Sequence, residues 1–270
     1  GDFSATHCVN EHFLEKLKIL NGTYVLPLSV NYRGIFYNRR MMEEDGYQIP
    51  STYAELIHTM QQIKKARKLP IVFADKDSWT IHQGWDAIDM SSRGSQDNLF
   101  QNVLNGTTVL YEDPIALDST SKFLEIRQYG QKQTINTGYD EAVKKFAKGE
   151  AYMFLQGNWA YPIIKKINPY MDLLFMPFPT YNENQARIVV KIDATLGVSA
   201  SCKHPEAAGK FLDYVFSKNV SEYYADQAGA YSCIKSVDVA DNYAKVFTDS
   251  IRSGEFFLEE FAYESEKSNA

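Results

Sequence analysis

Between Asp140 and Trp159 the pattern of apolar positions changes period twice. Val143, Phe146 and Ala147 recur at helical spacing, and Gly149 falls where a helix C-terminus favours a left-handed residue. Ala151 to Leu155 is then a continuous apolar run of strand length. Gly157 breaks it and leaves Trp159 at its carboxyl end, beside an expected helix start. Ligands of open α/β sheets bind outside the carboxyl ends of strands. An indole displayed there is a candidate platform for a flat or ring-shaped ligand.

The rest of the chain alternates in the same way. Glu11 to Leu20 places Phe13, Leu14 and Leu17 on one helical face, and Asn21-Gly22 marks a turn. Thr23 to Leu28 and Gly34 to Tyr37 read as two strands. Thr52 and Glu55 have capping-box spacing ahead of the stripe Tyr53, Leu56, Ile57, Met60 and Ile63, which predicts a helix to about Arg67. Leu69 to Phe73 is a strand, Asp75 to Gly84 a polar and aromatic loop with Trp79 in its middle, and Ser91 to Gln96 another loop. Helices are expected from Asp97 to Leu104, which stops at Asn105-Gly106, and from Asp113-Pro114 onward, an N-cap and N1 pair. Strands follow at Leu173 to Met176, Arg187 to Ile192 and Thr195 to Val198. Helices then run over Pro205 to Phe216, Val220 to Ala228 and Val239 to Arg252. Alternating strands and helices predict an α/β protein with largely parallel or mixed sheets.

Composition narrows the function classes. With 270 residues, 44% apolar and 23% charged, the chain can build one large domain or two smaller ones of ordinary soluble type. A formal charge of -6 without basic blocks gives no footprint for nucleic acid. No apolar run approaches the ~18–20 residues of a membrane span. Aromatic residues reach 14%, a supply suited to a cleft that binds by stacking. Cys8, Cys202 and Cys233 are too few for a disulfide framework and not spaced for a metal; one bridge would still leave a free thiol. The five histidines form no HExxH, and GxSxG, P-loop and GxGxxG motifs are absent, so no cofactor and no metal are expected. The natural enzyme alternative is a glycosidase, which needs two carboxylates ~5–10 Å apart, for example Asp77 with Asp193.

Phe146-Ala-Lys-Gly-Glu-Ala-Tyr-Met153, followed by Gly157-Asn-Trp159, resembles a motif of the extracellular solute-binding proteins of ABC sugar importers, the maltose-binding-like family. Tyr24-Val-Leu-Pro27, Gly34-Ile-Phe-Tyr-Asn38, Gly46 to Pro50, Ser51-Thr-Tyr-Ala-Glu-Leu56, Phe178-Pro179, Leu196-Gly-Val-Ser199 and His204-Pro-Glu-Ala-Ala-Gly-Lys-Phe-Leu212 agree in order. The resemblance implies a two-lobed periplasmic-binding-protein-like fold of type II, with the N-terminal lobe incomplete because the family begins with further βα units. It assigns residues 1–36 plus 197–236 to the remainder of lobe 1, and 37–196 plus 237–270 to lobe 2. It also implies a non-enzymatic receptor, closing by hinge bending on a mono- or oligosaccharide. The partners would be the transmembrane subunits of an ABC permease. The location would be extracellular or periplasmic, with membrane attachment only through a lipid anchor that this sequence does not carry. A two-lobed binder of a non-sugar solute, such as a peptide or polyamine, is the other reading.

Within that resemblance Trp159 stacks on a sugar ring; otherwise it packs beneath the following helix, a reading that the Gly157-Asn158 turn disfavours. Tyr161 either completes the aromatic wall or joins the core. Trp79 is a ligand contact or a loop aromatic packed on its own lobe. Asp77 and His82 are hydroxyl partners or solvated loop residues. Asp193 either accepts two sugar hydroxyls or caps a turn. Asn31, Tyr32 and Arg33 lie at the mouth of the first crossover, where Arg33 clamps an acidic sugar or holds a carboxylate. Tyr231 and Ser232 resemble the cleft loop of lobe 1, and Trp85 with Ile88 belongs to a core stripe.

Overall fold

A strand of thirteen residues, β1 (Leu26–Asn38), organises the molecule. The computed structural model describes residues 3–17, 23–93, 99–179, 188–237 and 242–258. The other strands are β2 (Leu69–Val72), β3 (Ala151–Gly157), β4 (Leu173–Met176), β5 (Val189–Leu196), β6 (Tyr231–Ser232) and β7 (Phe257–Leu258). The first half of β1 pairs antiparallel with β5 and β6, from Leu26 opposite Leu196 to Tyr32 opposite Val190. At Arg33 its neighbours change. The second half pairs antiparallel with β3, Arg33 opposite Gly157, and with β4, Ile35 opposite Met176. β2 adds parallel to β3, and β7 parallel to β5, so the sheet is mixed.

The helices are α1 (Glu11–Lys16), α2 (Arg39–Glu44), α3 (Tyr53–Lys65), α4 (Ser78–Ser92), α5 (Leu99–Leu104) and α6 (Pro114–Arg127). They continue as α7 (Tyr139–Ala147), α8 (Ala160–Ile167), α9 (Pro205–Val215), α10 (Lys218–Ala228) and α11 (Lys245–Ser253). Around β2, β3, β4 and the second half of β1 they form two outer layers. Ile35, Tyr37, Met153 and Leu155 meet Leu56, Met60, Ile88, Phe123 and Ile126 of α3, α4 and α6. Phe36, Phe154 and Phe175, on the opposite pleat, meet Val143, Phe146, Ile164 and Phe247 of α7, α8 and α11. Strands buried on both faces read as continuous apolar runs rather than alternating ones, and Ala151 to Leu155 does so.

Local expectations translate into observed contacts at several points. Thr52 and Glu55 form the capping box of α3, Asp113 accepts the Ala116 N–H at 2.7 Å at the start of α6, and Gly149 has φ +75° after α7. Three readings are corrected. The two strands expected at Thr23–Leu28 and Gly34–Tyr37 are one, β1, which begins only at Leu26 and continues because the polar residues between them still pair with β5 and β3. Thr195–Val198 is likewise no separate strand: β5 runs unbroken through to Leu196. Asp75–Gly84 is not a loop: α4 begins at Ser78. Gly84 does not break it but lets it approach α6, where an added Cβ would lie 3.0 Å from the Phe123 ring. The expected turn at Asn21-Gly22, and the expected element ends at Leu20, Asp97, Arg187 and Val239, lie outside the described residues.

Candidate functional site

The end of β3 builds the first wall of a cavity. Gly157 lets the indole of Trp159 fold back over the strand end; a Cβ on Gly157 would lie 2.1 Å from that ring. The φ of Gly157 is not positive, so its demand is for space rather than for an unusual backbone. Gly157→Ala is therefore expected to displace the indole while leaving the strand in register. Ligand affinity should fall at least tenfold by calorimetry, with a shift in tryptophan emission; unchanged values for both would contradict this placement.

Asn158, completely buried, fixes the turn. Its backbone N–H donates to the Tyr32 carbonyl at 3.1 Å, and its side-chain Oδ1 accepts the Tyr32 N–H at 2.8 Å. Its Nδ2 donates to the Gly229 carbonyl at 2.5 Å and to Asn31 Oδ1 at 3.3 Å. The side chain thus extends the β1–β3 ladder by one rung and ties in the end of α10. Gly229 (φ +64°) closes against it, since a Cβ there would approach the Asn158 carbonyl oxygen to 2.8 Å and Pro162 Cδ to 2.5 Å.

Trp79, in the first turn of α4, lies with its ring centroid 6.2 Å from that of Trp159, the planes inclined at 54°. Tyr139 supports it from behind at 5.0 Å; the Tyr139 hydroxyl is buried without a hydrogen bond, and burial raises its pKa. Trp79 is 41% exposed, an unusual state for so large an apolar ring. The tilted pair makes an aromatic corner on a cavity of about 470 Å³, lined also by Asn31, Arg33, Gln83, Lys191, Ile192, Asp193 and Ala228. Arg33 is oriented by the buried Asp86, at 3.1 Å, and His82 Nδ1 lies 3.2 Å from the same carboxylate oxygen. Asp193 keeps one side open to water and accepts from Ser29 Oγ at 3.3 Å. Partial burial raises the pKa of Asp193, and the Ser29 hydrogen bond opposes that shift.

Four of the seven residues named from sequence meet at this cavity: Trp159, Trp79, Asp193 and Asn31. Three do not line it. Tyr161 stacks on Tyr243 with centroids 3.8 Å apart. Asp77 accepts the Tyr139 N–H at 2.6 Å and so holds the start of α7. Tyr231 is buried in β6, paired with Val30. Asp77 and Asp193 are therefore not presented together. Arg33 holds a carboxylate, as one of its two readings had it, and Trp85 packs on the core with its Nε1 donating to Thr120 at 2.9 Å. Gln83, Lys191 and Ala228 escaped the sequence reading. Gln83 follows Trp79 by one helical turn, a signal that exists only once α4 is known to begin at Ser78. Among the described residues no group of three His, Cys, Asp or Glu is placed to hold a metal ion, and no helix is long and apolar enough to cross a membrane.

Comparison with known proteins gives this geometry a context. The sequence model of one family, described as bacterial extracellular solute-binding protein, matches residues 9–221. The multiple sugar-binding protein of Streptococcus mutans is 26% identical over 234 residues, 85% of this chain and 56% of that protein. An uncharacterized ABC transporter extracellular-binding protein of Pyrococcus horikoshii is 25% identical over 200 residues, 72% of this chain and 43% of that one. The chain thus spans about half the length of the curated relatives it matches. Among solved structures, the solute-binding protein RafE in complex with raffinose superposes with a TM-score of 0.81 at 23% identity. That superposition covers 98% of this chain and 72% of RafE, and it shows the shared two-lobed fold.

Proposed function

The chain belongs to the bacterial extracellular solute-binding proteins, and from this premise we propose that it captures a mono- or oligosaccharide for an ABC importer. The observation that carries the reading is the aromatic corner of Trp79 and Trp159 beside a band of hydrogen-bonding groups. A sugar ring has one face rich in C–H and an equator of hydroxyls. Aromatic planes suit the first, and Asp193, Asn31, Arg33 and Lys191 suit the second. The cavity volume falls within the range of ~300–1,000 Å³ typical of small-molecule sites. On this reading the chain binds without catalysis, and its lobes divide as 1–36 with 197–236 and 37–196 with 237–270. Closure draws the lobes together because only the closed form contacts ligand from both sides. A permease then receives the loaded protein at the outer membrane face, where a lipid anchor or the periplasm retains it.

Thermal shift with raffinose, stachyose, maltotriose and chitotriose, followed by calorimetry, tests this. A rise in melting temperature with at least one of them is expected, and sugar recovered unchanged distinguishes binding from hydrolysis. No shift with any of the four would count against the saccharide reading.

The acidity of Asp193 supplies a further test. Only its ionised form accepts hydroxyl hydrogen bonds through both oxygens. Its pKa is raised, so affinity should be full at neutral pH and begin to fall at a higher pH than an ordinary aspartate would dictate. Stability of the ligand-free chain moves the opposite way. The raised pKa favours the protonated native state, a contribution present below the unfolded value and lost as pH rises through the folded one. Asp193→Asn should weaken binding severalfold at neutral pH and flatten its acid limb in a calorimetric titration series; an unaltered acid limb would remove Asp193 from the site.

A further inference from the structure

Asn31 lines the cavity, but its position alone does not say whether it offers the ligand an N–H or a carbonyl oxygen. The two ends of an asparagine amide are alike in shape and opposite in function, and their assignment must come from the surrounding hydrogen-bond network. Here Asn158 settles it. One end of the Asn158 amide faces the backbone N–H of Tyr32, which can only donate, so that end is Oδ1. The other faces the carbonyl of Gly229, which can only accept, so that end is Nδ2. Both partners are main-chain groups and admit no alternative orientation. Asn158 Nδ2 also donates to the side chain of Asn31, which must receive it with Oδ1. The Asn31 carbonyl oxygen is thus turned inward, toward a fully buried group, and its NH2 is left as the free end.

We propose that Asn31 acts in the cavity as a hydrogen-bond donor, its polarity set by the buried positioning residue Asn158, so that the ligand must offer an acceptor there. Ring, glycosidic and hydroxyl oxygens of a saccharide meet that requirement. Asp193, which also lines the cavity, requires the converse, a donor such as a hydroxyl. The two residues, on adjacent strands β1 and β5, therefore read a donor and an acceptor on the same bound molecule. This inference rests on the saccharide reading and adds the direction of one hydrogen bond to it.

The test is a change of sign rather than of size. Asn31→Asp keeps shape and still accepts from Asn158 Nδ2, but it turns the cavity-facing donor into an acceptor. Calorimetry at neutral pH, with whichever of raffinose, stachyose, maltotriose and chitotriose binds the wild-type chain, should show Asn31→Asp weakened at least tenfold. It should be weakened no less than Asn31→Ala. A protonated carboxyl is again a donor, so the affinity of Asn31→Asp relative to wild type should recover as pH falls through the carboxylate range. A purely structural role for Asn31 predicts no such recovery, and Asn31→Ala, whose affinity relative to wild type should stay flat in pH, serves as the reference. Asn31→Asp binding as tightly as wild type, or a relative affinity flat in pH, overturns the donor assignment while leaving the saccharide reading intact. A wild-type chain that binds none of the four sugars overturns the saccharide reading, and this inference with it.

Discussion

Replacing Trp159 by alanine should abolish measurable saccharide binding while the melting temperature of the free chain stays within a few degrees of wild type. Covering roughly 100 Å² of indole face at about 25 cal/mol per Å² is worth about 2.5 kcal/mol. Ring stacking adds ~1 kcal/mol. The sum, above 3 kcal/mol, is more than a hundredfold in affinity. The fold does not depend on that ring in the same way. Trp159 occupies the N-cap position of α8 without making a side-chain cap, and α8 is anchored by the buried Ala160 and Ile164. Trp159→Phe, which keeps a smaller aromatic face, should fall between the two. Calorimetry together with a thermal melt separates the effects: retained affinity in Trp159→Ala would exclude the aromatic corner as the binding surface, whatever the ligand.

Asn158→Ala should have the largest effect on stability. The substitution leaves the buried Tyr32 N–H and the part-buried Gly229 carbonyl without their partners. Stranding the buried Tyr32 N–H costs ~1–3 kcal/mol and the part-buried Gly229 carbonyl less, so denaturant titration should show a loss of roughly 2–3 kcal/mol. Binding should weaken as well, because the turn that carries Trp159 and the amide that orients Asn31 both lose their support. Asn158→Asp is expected to be as harmful: a carboxylate can accept from Tyr32 but turns an acceptor toward the Gly229 carbonyl and Asn31 Oδ1. A destabilisation below about 1 kcal/mol for both variants would mean that water or a shifted backbone replaces these bonds.

The sequence revealed the parts of this site that local chemistry determines. The helix stop at Gly149, the buried run of β3 and the break at Gly157 follow from residue type and spacing, and they placed Trp159 correctly at a strand end. Trp79 is legible as an aromatic but not as helical, since Asp, Ser and Gly near it mimic turn composition; packing of Gly84 against Phe123 overrides that signal. The polar residues Asn31 and Arg33 interrupt the apolar runs on either side and hide the continuity of β1, because they are satisfied by strands more than a hundred positions later. Tyr161 and Tyr231 are ligand candidates by sequence, but their rings serve the core, a choice made by partners such as Tyr243 that spacing cannot reveal. Lys191 and Ala228 enter the cavity only through the meeting of β5 and α10 with the end of β3. The polarity of Asn31 needed the most distant information of all, a carbonyl at Gly229.

The pairing of β1 also governs how the chain can acquire its structure. Among the described residues, every strand that flanks β1 lies at Ala151 or beyond, whereas β1 itself is complete by Asn38. During synthesis β1, a thirteen-residue segment rich in buried positions, therefore waits for these partners from the second half of the chain. Such long-range pairing slows folding, and an unpaired apolar strand is a template for association with other chains. A nascent chain interrupted before Ala151 lacks all of the strands that pair with β1 among the described residues. Completion of β3, which brings Trp159 with it, covers one edge of the second half of β1, while the first half still waits for β5 and β6 to finish the ligand site.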